Sequence, residues 1–153
     1  MGEIQVDLTT REAELEQGRR RGLPFPRYFT RELGPGKTPF DQLEWEKRTA
    51  SITDAKGVTV FEQHDIEAPR TWSQTATNIV ASKYFHGRLG TPERETSLKQ
   101  LVGRVCNTIA AWGERGGYFA DKSDAENFRL ELTHLMVNQM ASFNSPVWFN
   151  VGV

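Results

Sequence analysis

Cys106 is the only thiol of this 153-residue chain, and His64, His86 and His134 are its only imidazoles. These side chains are the natural candidates for nucleophile, general base or metal ligand, and their spacing assembles no site. Zinc requires several convergent donors, whereas the histidines fall in a loop, at a helix end and within a helix. Cys106 stands beside Val105 near the apolar stripe of a helix, so it reads as a buried small hydrophobe rather than a reactive thiol. A lone cysteine also excludes an internal disulfide and any multi-cysteine metal site. The run Arg19-Arg20-Arg21 can touch phosphate, but so few charges give little affinity at physiological salt and a solvated arm accounts for them. The sequence contains no G-x-x-x-x-G-K-[ST] loop, no G-x-G-x-x-G, no H-E-x-x-H and no paired CxxC. On residue types alone the chain therefore holds no catalytic residue and no metal site.

Composition narrows the classes further. A net charge of −1 with 25% charged residues gives no field for a nucleic-acid polymer. The hydrophobic fraction of 37% suits one compact domain with solvated extensions. No stretch reaches the roughly 20 apolar residues that span a bilayer, and the first residues lack the basic and apolar segments of a signal peptide. A cytoplasmic location without membrane contact is the expectation.

The elements that position any site divide into a loose front and an ordered back. Residues 1–40 read as an extension, with a short polar helix at Thr9–Glu16, followed by an arm in which Pro24, Pro26, Pro35 and Pro39 alternate with glycines. Phe25, Tyr28, Phe29 and Phe40 predict that the arm lies against a surface, because disordered tails are poor in aromatics. Residues 41–143 read as a small, mainly α domain with a hairpin near 51–61 that turns at Gly57. A helix is expected over Trp72–Phe85. Thr91-Pro92-Glu93 has the order of a helix start, and Leu98, Leu101, Val102, Val105, Ile109 and Trp112 share one face. Ser123-Asp124-Ala125-Glu126 forms a capping-box pattern, and Phe128, Leu132, Leu135, Met136, Met140 and Phe143 then share a face. That last stripe reads as core, with a docking face for a protein partner as the alternative. Residues 144–153 form an apolar, β-prone run that opens at a turn and reads as the entry to a strand.

Three segments carry a resemblance. Trp45-Glu46-Lys47-Arg48, the run from Trp72 to Phe85, and Phe143-Asn144-Ser145-Pro146-Val147-Trp148-Phe149-Asn150-Val151-Gly152 closely resemble the N-terminal part of class II, adenosylcobalamin-dependent ribonucleotide reductase. The resemblance runs from about Pro24 to the last residue. It implies that this helical domain precedes a ten-stranded α/β barrel and that the chain ends as the barrel begins. It further implies that the complete enzyme reduces ribonucleotides to deoxyribonucleotides by thiyl-radical chemistry, as a homodimer.

The resemblance also gives Ser145 a role, because it matches the serine or threonine of the S/T-P turn that contributes to the family's substrate site. A hydroxyl can donate to a phosphate or ribose oxygen, Pro146 restrains the turn and Asn144 favours its geometry. From spacing alone Ser145 would merely satisfy the turn. The family's radical cysteine, its reducing cysteine pair and its C-terminal tail cysteines match nothing in this chain, and Cys106 corresponds to none of them. No residue is matched to adenosylcobalamin. The remaining alternative is a free-standing interaction module that docks a partner through the aromatic arm or the Met136–Met140 face.

Overall fold

The computed structural model describes residues 22–153; the predicted helix at Thr9–Glu16 and the Arg19–Arg21 run lie outside the described residues. Strands β1 (Trp45–Thr53) and β2 (Thr59–Pro69) form a two-stranded antiparallel hairpin. Helices α1 (Gln74–Lys83), α2 (Leu98–Arg115), α3 (Lys122–Val137) and α4 (Ser145–Asn150) follow it. The described residues thus form a mixed helix and strand unit, with more strand than the mainly α expectation allowed.

The hairpin is longer than the expected 51–61. Its turn is built by Asp54, whose Oδ1 accepts from the amides of Lys56 at 2.8 Å and Val58 at 2.9 Å, while Gly57 takes φ 81°. The ladder slips between Arg48 and Ala50, where Asp65 adopts φ 54°. This is the geometry of a β-bulge, and it bends β2 over the helices. Ala50, Ile66 and Ala68 are fully buried on the inner face, where they join Ala81 of α1 and Leu98, Leu101, Val102 and Val105 of α2.

Helix starts differ from the sequence reading by a few residues, for local reasons. Ser73 caps α1 by accepting from the Ala76 amide at 3.0 Å. The helix α2 begins at Leu98, not at Pro92, because Ser97 and Gln100 form the capping box. Thr91-Pro92-Glu93 instead lies in a tight loop in which Gly87 has φ 84° and a Cβ there would meet the Glu93 backbone at 2.3 Å. Asp121, rather than Ser123, caps α3, accepting from the Ser123 and Asp124 amides at 2.8 and 3.0 Å. The end of α3 also falls earlier than its apolar stripe predicts. Gln139 turns to φ 54° and Met140 donates its amide to the Leu135 carbonyl, a helix-ending turn that leaves Met140 exposed.

The largest correction concerns the end of the chain. Residues 145–150 are a short helix, not a strand. Asn144 has extended dihedrals at the N-cap, Pro146 lies in the first turn, and the spacing of Val147, Trp148 and Val151 turns those side chains to the core.

The arm runs along α3, and each successive turn of that helix holds it. The Phe25 amide donates to Asp124 Oδ1 at 2.7 Å, Asn127 Nδ2 donates to the Phe25 carbonyl at 2.9 Å, and the Phe25 ring meets Phe128 edge-on at 5.2 Å. Farther along, Glu131 accepts from the amides of Phe29 and Thr30 and from the Thr30 hydroxyl at 2.9, 2.8 and 2.6 Å. Phe29 stacks on His134 at 4.9 Å. Burial raises the pKa of Glu131, but the hydrogen bonds from Thr30 and the arm amides outweigh it and bring the carboxyl below its usual range.

Glu131→Ala is expected to leave buried amides without acceptors, to cost about 1–3 kcal/mol, and to make residues 22–40 quickly cleaved in limited proteolysis. A carboxylate with a depressed folded pKa stabilises above its ordinary value of 4.5 and loses that stabilisation as pH falls through the folded value. Arm protection should therefore hold at neutral pH and fail only on acidification below that value. Uniformly slow cleavage of the Glu131→Ala arm would contradict this anchoring.

Candidate functional site

Ser145 is the first residue of α4, and its hydroxyl is exposed. Its Oγ lies 3.1 Å from the phenolic oxygen of Tyr84, the residue that caps the end of α1. The neighbouring Phe149 ring packs against the Tyr84 ring at 5.2 Å. Two hydroxyls thus face each other across the junction of α1 and α4. One hydrogen bond between them leaves each oxygen with further capacity to donate or accept. That pair can hold an oxygen-rich ligand, and the local residues supply no base or nucleophile beside it.

The short helix cannot hold this position by itself, since six residues make too few internal bonds. Trp148 anchors it from below: its ring is buried, and its Nε1 donates to the Phe143 carbonyl at 2.9 Å. Arg104 of α2 anchors its far end by donating to the Val151 carbonyl at 2.7 Å and the Trp148 carbonyl at 3.3 Å. Gly152 permits the close approach; a Cβ there would meet Arg104 Cγ and Thr108 Oγ1 at 2.6 Å, and its φ is 76°. Beside the hydroxyl pair, an apolar cavity of about 460 Å³ is bordered by Trp72, Val80, Tyr84, Met136 and Trp148.

The other chemically able residues do not converge. His64 lies on β2 between Thr49 at 3.0 Å and Glu62 at 2.9 Å, His134 is stacked beneath the arm, and His86 belongs to the loop after α1. Among the described residues no group of three or more His, Cys, Asp or Glu side chains is arranged to hold a metal ion. Cys106 is fully buried, and burial pushes its thiol up to about 11 despite the hydrogen bond with Thr133 and the nearby Arg129. It is the inert, small apolar residue that its place on the helix predicts.

Ser145 is a candidate in the sequence through the resemblance alone, whereas Tyr84, inside the helix expected over Trp72–Phe85, carries no local signal of its contact with Ser145. Arg104 too carries no such signal, since a polar residue within a helix does not show which distant carbonyls it meets.

Comparison with known proteins places the geometry in context. The family profile described as class II vitamin B12-dependent ribonucleotide reductase matches residues 46–139. A vitamin B12-dependent ribonucleotide reductase of Rhodopirellula baltica is 49% identical over 138 residues, covering 90% of this chain and 13% of that protein. One from Streptomyces coelicolor is 50% identical over 119 residues, covering 77% of this chain and 12% of its own length. A more distant one, from Agrobacterium fabrum, is 30% identical and covers 83% of this chain and 12% of that protein. The chain thus spans only about an eighth of the length of these relatives.

With its thiol pushed up to about 11, Cys106 holds less than about 0.1% thiolate at neutral pH. It should resist an aromatic disulfide reagent in the folded chain and react stoichiometrically in denaturant. Rapid labelling of the folded chain would contradict the buried, structural role.

Proposed function

The chain belongs to the class II vitamin B12-dependent ribonucleotide reductase family, and from that premise we propose that it is the N-terminal scaffold of a cytoplasmic, homodimeric reductase. The complete enzyme converts ribonucleotides to deoxyribonucleotides with adenosylcobalamin. The division into 1–40, 41–143 and 144–153 then corresponds to extension and arm, scaffold, and entry to the catalytic barrel. The observation that carries the role of this chain is the exposed Ser145 hydroxyl held 3.1 Å from that of Tyr84, on a short helix anchored by Trp148 and Arg104. In this reading Ser145 donates to, or accepts from, a ribonucleotide oxygen while the helix stays fixed.

No residue of this chain is assigned to cobalamin in the reading. Its one cysteine is buried and held protonated, so it takes no part in the thiol chemistry of the reading. What the chain supplies is binding and orientation: a rigid floor and one edge of the substrate site.

A free-standing docking module is less well supported. Phe25 and Phe29 of the arm are spent on α3, and Met136 is 5% exposed, in the core. Tyr28 and Met140 remain exposed, so each of the two faces is engaged within the chain only in part.

The isolated chain, given ribonucleotides, adenosylcobalamin and a dithiol, should yield no deoxyribonucleotide; turnover that survives Cys106→Ala would overturn the scaffold reading. For Ser145→Ala the two contributions should separate. In the isolated chain the exposed hydroxyl makes the change worth about 0.5 kcal/mol or less in thermal unfolding. In the full-length enzyme, losing a hydrogen bond to a charged oxygen costs about 1.5–3 kcal/mol, or roughly 10- to 150-fold in kcat/KM. Strong destabilisation with unchanged kinetics would return Ser145 to the role of a turn residue.

A further inference from the structure

The two hydroxyls of the site stand on different elements, so their separation depends on whatever joins the end of α1 to α4. That joint is Arg104, two turns into α2. Its side chain is 10% exposed, and Glu95, 9% exposed, holds it at 2.8 Å from Nε. Nη1 donates to the Val151 and Trp148 carbonyls at 2.7 and 3.3 Å, and Nη2 donates to the Tyr84 carbonyl at 3.4 Å and to Glu95 at 3.2 Å. Glu95 also accepts from the His86 amide at 2.7 Å, two residues beyond Tyr84. One planar cation and its carboxylate partner therefore grip the backbone of both segments at once. We propose that Arg104, oriented by Glu95, is a positioning residue for substrate: it sets the separation of the Tyr84 and Ser145 hydroxyls by tying the Tyr84 backbone to the last turn of α4.

The shape of the side chain matters more than its charge here. A guanidinium presents several donors in one plane, and the three carbonyls and the carboxylate lie around its edge. A lysine ammonium at the same place carries the charge but cannot reach both backbone segments together. Arg104→Lys should accordingly loosen α4 relative to Tyr84 without leaving Glu95 uncompensated. A misplaced contact of this kind weakens substrate use while the chemical steps, which lie elsewhere in the enzyme, continue.

The inference rests on the reading of Ser145 as a substrate contact, and the experiment separates the two. In the full-length reductase, KM and kcat for a ribonucleotide are measured for Ser145→Ala, Arg104→Lys and the double variant, with hydrogen exchange of residues 145–151 and of the hairpin 45–69. Arg104→Lys should raise KM about 5- to 20-fold with kcat changed less than about twofold. It should speed exchange in 145–151 while the hairpin stays as protected as before, and the double variant should be little worse than the more affected single one. An unchanged KM in Ser145→Ala would remove the premise. A raised KM in Ser145→Ala with normal KM in Arg104→Lys, or fully additive effects, would overturn the positioning role alone. If Arg104→Lys does not fold, Gly152→Ala asks the same question from the other side, because its Cβ would press on Arg104 Cγ at 2.6 Å. That variant should show the same rise in KM and the same local exchange, and a normal KM together with fast exchange in 145–151 would overturn the proposal.

Discussion

The Arg104–Glu95 ion pair is the interaction on which the far end of this fold depends. Helix ends leave carbonyls without partners, and where those ends are hidden from water something must donate to them. Arg104 does so for α4 and Arg94 for α1, while Arg48 ties a strand to a helix start. Arg48 donates to the Trp72 carbonyl at 2.7 Å and to the Thr77 hydroxyl at 2.9 Å, joining β1 to the start of α1. Arg94 donates to the carbonyls of Ala81, Phe85 and Gly87 at 2.5, 2.7 and 3.0 Å, closing the end of α1 over the loop that leads to α2. Breaking a buried charge pair by removing one partner costs about 3–5 kcal/mol, whereas well-packed apolar replacements can be neutral. What such pairs contribute here is geometry more than net stability.

The apolar core and the arginine forks have different tasks. Ile66, Leu98, Leu101, Val102 and Val105 bury the hairpin against α1 and α2, a contact that is strong but tolerant of small shifts. The forks add directional bonds at the end of α1, beside Tyr84, and at the end of α4 opposite Ser145. On the opposite side, the arm covers α3 through Asp124, Asn127, Phe128, Glu131 and His134, which recur at helical spacing along one face. A polar stripe that would ordinarily face water is thereby turned into a second seam. Both seams leave the Ser145 end of the molecule open.

Legibility in the sequence followed the range of the interactions. The hairpin turn was readable because Asp54 and Gly57 act within five residues of one another, and α2 was readable because its apolar face persists over several turns. The arm's attachment was readable in outline, from Phe25 and Phe29, yet its partners on α3 were not. Glu131 looks like any helix-surface acid until a segment about 100 residues away supplies its donors. Helix starts were misread where two capping candidates compete, as with Pro92 against Ser97. The closing run was misread as a strand because Val147, Trp148, Phe149 and Val151 favour strands individually, while the Asn144–Pro146 cap and the pull of Trp148 into the core decide for helix. Ser145 stands out in the sequence only through the family resemblance; the contacts of Tyr84 and Arg104 required the fold.

The role proposed for this scaffold is to present Ser145 to the substrate of a ribonucleotide reductase. The most direct measurement is a structure of the full-length enzyme with a ribonucleotide bound. A ligand oxygen should then lie within hydrogen-bond distance, about 2.6–3.2 Å, of Ser145 Oγ, with α4 still tied to Arg104. A well-ordered ribonucleotide whose atoms all lie beyond contact of Ser145, with its hydroxyl bonded to protein alone, would contradict it.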